Sequence, residues 1–160
     1  MLSIPEQYAH DVIDGKIVAG RWVRLACERH FKDLETGHER GLIFNHDEAM
    51  KHIHFIERFI CHTVGKFAGQ KFIPLAWQQF LLWQLFGWHR EDGTRRFNYL
   101  FLCVGRKNGK STLLAAIALN YLIFEKEHAA GVYFCATKRD QAKISFDEAA
   151  RMVKRSPELR

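Results

Sequence analysis

Along the first half of the chain the apolar positions recur at helical spacing. The stretch Glu6 to Asp14, closed by Gly15, predicts a short helix. Val18 to Leu34, ending near Gly37, predicts a longer one in which Trp22, Leu25, Ala26 and Cys27 mix with Arg21, Arg24, Arg29 and Lys32. Asn45 followed by Glu48 has the spacing of a helix cap, and Ala49, Ile53, Ile56 and Ile60 then repeat at helical intervals until the pattern stops before Gly65. After the turn-rich GKFAGQKFIP, the segment LAWQQFLLWQLFGW sets Trp77, Leu81, Leu85 and Trp88 on one face, as a core helix does. HREDGTRR follows as a polar loop.

Beyond that loop the period changes. FNYLFLCV, Phe97 to Val104, is short, apolar and rich in aromatic residues, the composition of a buried strand in a parallel sheet. It runs through a glycine-containing loop into KSTLLAAIALNYLIF, whose alanine and leucine favour a helix. Gly131 opens a second strand, GVYFCA, and KRDQAKISFDEAARMVKR reads as an amphipathic helix with Ala142, Phe146, Ala149, Met152 and Val153 inward. Two strand–helix units after a helical front half predict an α/β fold: a partial parallel sheet of the P-loop NTPase, RecA-like kind, preceded by a helical subdomain. The boundary is expected at 72/73, with 1–72 as helical lead-in and 73–160 as the start of the ATPase domain.

Composition adds limits. A chain of 160 residues suffices for one domain with a real core, and its apolar and charged fractions exclude global disorder. The excess of six basic residues points towards a polyanionic partner without naming one. MLSIPEQYAH shows no secretory signal, and the longest apolar segment, Leu113 to Phe124, is interrupted by Asn120 and too short to span a bilayer, so a cytoplasmic protein without membrane contact is expected. Cys27, Cys61, Cys103 and Cys135 form no disulfide framework and are read as thiols. Cys27-x-x-His30, His52-x-His54 and Cys61-His62 do not fall at zinc-finger spacing, so no structural metal is expected.

The chemistry concentrates in CVGRKNGKSTLL, residues 103–114. Gly109-Lys110-Ser111 is how a phosphate-binding loop ends, but the glycine that should open the pattern G-x-x-x-x-G-K-[ST] is Val104, with Gly105 one residue late. Much of the function survives this departure, because phosphates are held chiefly by backbone N–H groups and by the first turn of the following helix, whose dipole favours an anion. Residues Gly105, Lys107, Asn108, Gly109, Lys110, Ser111 and Thr112 would form the cradle. Lys110 would reach the β- and γ-phosphates of ATP, and the Ser111 hydroxyl would join the Mg²⁺ shell. Arg106 would either meet the γ-phosphate, stabilising charge in the transition state, or lie on the surface facing solvent or DNA.

At this point WQQFLLWQLFGW, RRFNYLFLCVGRKNGKSTLLAAIALNYL and CATKRDQAKISFDEAARMVKRSPELR, in that order, resemble the amino-terminal ATPase half of the tailed-bacteriophage terminase large subunit. The front half, with DVIDGKIVAGRWVRLACERH and AMKHIHFIERFICHTVGKFAGQ, is similar to that family's lead-in. Family members often carry a Walker A loop with an early arginine and no first glycine, as here. The resemblance implies a motor that hydrolyses ATP with Mg²⁺ to move double-stranded DNA into procapsids. It implies a terminase small subunit, a portal protein and a ring of identical subunits as partners, and a phage or prophage gene expressed in a bacterial cytoplasm. It assigns Lys110 and Arg106 catalytic roles, Ser111 to the metal, and Gln78 to adenine, although the family's proline before Trp-Gln is here Ala76, with Pro74 nearby. ATKRDQA resembles the element after the second strand, with Lys138, Arg139 and Gln141 as its polar members in coupling or DNA contact.

Hydrolysis also needs an apolar strand ending in Asp-Glu. The Asp147-Glu148 pair is expected on a helix with both acids outward, and is therefore not that element. The nuclease of the family is missing as well. The sequence thus reads as a truncated motor whose isolated chain binds nucleotide weakly and hydrolyses none. The alternative is a non-enzymatic prophage remnant, a basic interaction module with a relic loop; a helicase or small kinase is a third and weaker P-loop reading.

Overall fold

In the computed structural model, which describes residues 2–124 and 128–160, the helical periods become six α-helices among the described residues. They are α1 (Ile4–Ile13), α2 (Arg21–Thr36), α3 (His46–Phe59), α4 (Ala76–Gly87), α5 (Lys110–Phe124) and α6 (Arg139–Arg155). Local chemistry sets several boundaries. Glu6 accepts from both the backbone N–H and the hydroxyl of Ser3 ahead of α1, and Asn45 Oδ1 accepts the Glu48 N–H at 3.0 Å at the start of α3. None of the helices in the described residues is long and apolar enough to cross a membrane.

The chain divides into two compact units that interleave along the sequence: Met1–Ile53 with Pro74–Phe101, and His54–Ile73 with Leu102–Arg160. Each unit therefore draws residues from both sides of position 72.

In the first unit α1 packs on α2 and α4. Ala9, Val12, Cys27 and Phe80 are buried together, with Tyr8, Ile13, Ile17 and Phe31 against them. Burial pushes the Cys27 thiol up to about 11, which keeps it a neutral packing group. α4 is buried nearly all round, so its apolar face is wider than Trp77, Leu81, Leu85 and Trp88; Trp77 and Leu81 are only half-buried, and Phe80, Leu82, Trp83 and Phe86 complete the core. Along α2 the expected mix resolves with Cys27 inside and Trp22 77% exposed.

Two short strands that the hydrophobic pattern did not signal, β1 (Leu42–Phe44) and β2 (Trp88–Arg90), pair antiparallel with Phe44 opposite Trp88. Around them lies an aromatic cluster: Phe44 meets Trp83 and Trp88 at ring distances of 5.1 Å, and His30 stands edge-on to Phe44 and Trp88. Trp88 Nε1–H donates to His30 Nδ1 at 3.1 Å. Nearby, the buried Asp33 accepts from Arg40 and Arg96. Burial pushes its carboxyl up, but those two guanidiniums outweigh the desolvation and hold it below the usual carboxylate range.

In the second unit α5 and α6 pack against one another. Ile56, Ile60, Leu113, Ala115, Ala116, Ala149 and Met152 are buried, and Phe55 meets Phe124 edge-on at 5.3 Å. Phe146, expected inward, is 59% exposed, while Glu148 is buried. The inward stripe of α6 is thus rotated from the one that the apolar residues suggest.

The parallel sheet is the main difference from expectation. Residues 97–104 and 131–136 enter no ladder, and the sheet among the described residues is the β1–β2 pair. Tyr99, Phe101 and Tyr133 are 95%, 91% and 87% exposed. An apolar run becomes a central strand only where neighbouring strands satisfy its backbone and layers cover both faces, and a run of side chains cannot supply those partners itself.

Candidate nucleotide site

The loop between residue 104 and α5 belongs to the second unit. Gly105, Arg106, Lys107, Asn108, Gly109 and Lys110 are all exposed, Ser111 and Thr112 are half-buried, and Leu113 is fully buried, so the helix anchors itself in the core three residues after it begins. The backbone turns sharply through left-handed conformations at Lys107 (φ 67°) and Gly109 (φ 69°), on either side of Asn108. Alternation of this kind turns successive N–H groups to one side and makes an anion-binding concavity. Gly109 adopts its φ freely, whereas Lys107 holds a conformation that costs a side-chain-bearing residue roughly 1–2 kcal/mol. Asn108 secures the turn, its Nδ2 donating to the carbonyls of Gly105 (3.2 Å) and Arg106 (3.3 Å). The Leu113 N–H donates to the Gly109 carbonyl at 2.9 Å, which starts α5 at the loop's end.

Electrostatics at this helix mouth favour an anion. Lys110 is the first residue of α5, and the first turn carries no acid. Arg106 and Lys107 are close in sequence and exposed, and among the described residues no carboxylate pairs with any of the three. A cation at the positive end of a helix dipole is unfavourable by roughly 0.3–1 kcal/mol, a cost that a bound phosphate reverses. Among the described residues no cluster of three or more His, Cys, Asp or Glu could hold a metal. Within the loop the Ser111 hydroxyl is an oxygen that could join a Mg²⁺ shell.

Gln78 lies in the first unit, near the start of α4, and is only 2% exposed. Its Oε1 accepts the Leu75 N–H at 2.9 Å, so the carboxamide caps the helix. Its neighbour Gln79 donates to the Pro74 carbonyl at 2.9 Å, which ties down the turn where the family's proline register departs. Lys138, Arg139 and Gln141 are exposed at the start of α6, where the Thr137 and Gln141 side chains lie 3.2 Å apart.

The expectation that both acids of Asp147-Glu148 face outward is corrected. Asp147 is half-buried, but Glu148 is 5% exposed. Its Oε2 accepts from the Thr63 hydroxyl at 2.6 Å and from Arg151 at 2.7 Å, and its Oε1 lies 3.5 Å from the Thr112 hydroxyl. The available signal was Arg151 three residues on, a helical ion pair, together with Glu148 falling on the same face as Ala149 and Met152. Thr63 carried no such signal, since it is 85 positions away.

Residues 76–160, just over half of the chain, match the family model described as "Terminase large subunit, ATPase domain". The chain is 32% identical over 108 residues to the "Terminase, large subunit" of Enterobacteria phage HK97, covering 67% of this chain and 20% of that protein. It is 26% identical over 146 residues to the "Terminase large subunit" of Lactococcus phage p2 and, equally, to that of Lactococcus phage SK1, covering 90% of this chain and 26% of each. The chain thus spans about a fifth to a quarter of the length of these relatives. No solved structure matches it. With the loop at the head of α5 inside the matched region, this chain belongs to the terminase large subunit family, within its ATPase domain.

Proposed function

We propose that this chain is the ATP-binding portion of a phage DNA-packaging motor, in which ATP hydrolysis by the intact protein drives translocation of double-stranded DNA. The observation that carries the reading is the mouth of α5: Arg106, Lys107 and Lys110 around a backbone turned left-handed at residues 107 and 109, with no acid in the helix's first turn. Main-chain N–H groups of Gly105 to Thr112 hold the phosphates, Lys110 contacts the β- and γ-phosphates, and Arg106 meets the charge that develops on the transferred group. The Ser111 hydroxyl would help hold Mg²⁺, which when bound would neutralise charge on the nucleotide tail. In the intact protein the carboxamide of Gln78 would be the group that recognises adenine. The same reading extends the chain to a RecA-like parallel sheet in which residues 97–104 and 131–136 are strands, and to a ring of subunits working with a terminase small subunit and a portal protein in the host cytoplasm.

The buried Glu148 is committed to Thr63 and Arg151 and so is not available to activate water. The chain by itself is expected to bind MgATP weakly and to turn none over. Titration of the purified chain with MgATP, followed by the amide resonances of Gly109 to Leu113, tests the site. Saturable shifts that Lys110→Ala abolishes support it, and equal binding by Lys110→Ala overturns it. Steady ATP turnover that Lys110→Ala removes would overturn the expectation of no hydrolysis.

A further inference from the structure

We infer that Glu148 is a positioning residue for the phosphate loop, acting through Thr112; the inference rests on the nucleotide reading above. Removing a carboxylate from water is costly unless it is paired and hydrogen-bonded. Glu148 is 5% exposed, and its two oxygens have different surroundings. Oε2 is held firmly, at 2.6 Å from the Thr63 hydroxyl and 2.7 Å from Arg151, and the Arg151 Nε donates in turn to the Thr63 oxygen at 3.3 Å. Oε1 faces the Thr112 hydroxyl at 3.5 Å, its hydrogen-bond partner among the described residues. The triangle of Glu148, Thr63 and Arg151 is thus a rigid mount, and its remaining acceptor is aimed at the first turn of α5.

That turn is where orientation matters. Thr112 directly follows Lys110 and Ser111, and successive helical residues are rotated by about 100° about the axis. A bond from Thr112 to α6 therefore sets the direction in which Lys110 and Ser111 emerge. Leu113 anchors the same turn in the core but resists rotation less, because apolar packing is not directional. A geometry held to within a few tenths of an ångström is what phosphate positioning needs, and polar support of this kind supplies it. Glu148 touches neither nucleotide nor metal in this scheme; Thr112 relays its effect.

The test uses the whole 160-residue chain, MgATP as the probe, and the variants Glu148→Ala, Glu148→Gln, Thr112→Val, the Glu148→Ala/Thr112→Val double, and Lys110→Ala. Glu148→Ala and Thr112→Val are each expected to weaken MgATP binding about tenfold, the scale of one lost hydrogen bond to a charged group. The double variant should bind no worse than either single one, since both remove the same link. Glu148→Gln should stay within about threefold of wild type, because its carboxamide oxygen still accepts from Thr63 and Arg151 and its amino group can donate to the Thr112 oxygen. Unfolding midpoints of the ligand-free variants separate stability from affinity. If Glu148→Ala does not fold, the near-isosteric Thr112→Val carries the test alone, and unchanged affinity there overturns the inference. So do wild-type affinity in folded Glu148→Ala and additive losses in the double variant. Lys110→Ala distinguishes the two failures. If it binds as wild type does, or if wild type binds no MgATP, the nucleotide reading falls and this inference with it; if it alone loses binding, only the role of Glu148 falls.

Discussion

Lowering the pH should destabilise the first unit through one residue, His30. The ring is 1% exposed, its Nδ1 accepts the indole N–H of Trp88, and its Nε2 has no partner among the described residues. Burial, reinforced by Arg96 and Arg29 and only partly offset by Glu6 and Asp33, lowers its pKa from an ordinary 6.5 to about 4. The folded state therefore favours the neutral ring, and protonation at Nδ1 would break the bond from Trp88. The stabilisation is complete above pH 6.5, where neither state takes up the proton. It is lost as the pH falls towards 4, because the unfolded chain binds a proton that the folded one does not. The gap between those two values corresponds to roughly 3 kcal/mol, of which about 2 kcal/mol is gone at pH 5. All four tryptophans, Trp22, Trp77, Trp83 and Trp88, lie in this unit, so urea unfolding followed by indole fluorescence reports on it selectively. His30→Gln keeps an acceptor for Trp88 but does not titrate. The wild-type unfolding free energy should drop by about 2 kcal/mol more than the variant's between pH 7.5 and pH 5. Parallel pH profiles for the two proteins would refute the reasoning.

Two further outcomes follow from backbone geometry. Gly87→Ala places a Cβ 2.8 Å from Phe44 Cζ and 3.0 Å from Ala49 Cβ, inside the aromatic cluster, and should cost about 1–3 kcal/mol of the same fluorescence-detected transition. Gly109→Ala forces a side chain into φ 69° and should lower the stability of the second unit by about 1–2 kcal/mol, measured by far-ultraviolet circular dichroism, while leaving the tryptophan transition unchanged. In the MgATP titration the same variant should bind more weakly than wild type, because its loop can relax only by giving up the cradle.

Local order was legible along the chain because its causes are local. The Asn45 cap, the burial of Ala49, Ile53, Ile56 and Ile60, and the helix that begins at Lys110 straight after Gly109 each depend on residues within a few positions of one another. The sharp turn before α5 was readable for the same reason, since its left-handed glycine, Gly109, stands directly before the helix. Periodicity misled where one face had to choose among partners. α6 offered Phe146 to the interior, but the neighbours it meets include Thr63 and Thr112, and so Glu148 turned inward instead. β1 and β2 were too short to show alternation, and they exist because the aromatic rings of Phe44 and Trp88 are packed together from the two separate sequence segments of the first unit.

The amino-acid order alone thus determined which segments are helical, where the turn before α5 lies and which family the chain resembles, all through short-range periods, caps and motif spacing. Tertiary structure alone decided that Gln78 spends its oxygen on the Leu75 amide, that 97–104 and 131–136 enter no ladder among the described residues, and that Glu148 is buried beside the first turn of α5. Those outcomes depend on which polar atoms and surfaces meet across long sequence separations, and burial of a charge or pairing of a strand is a property of the partner as much as of the residue.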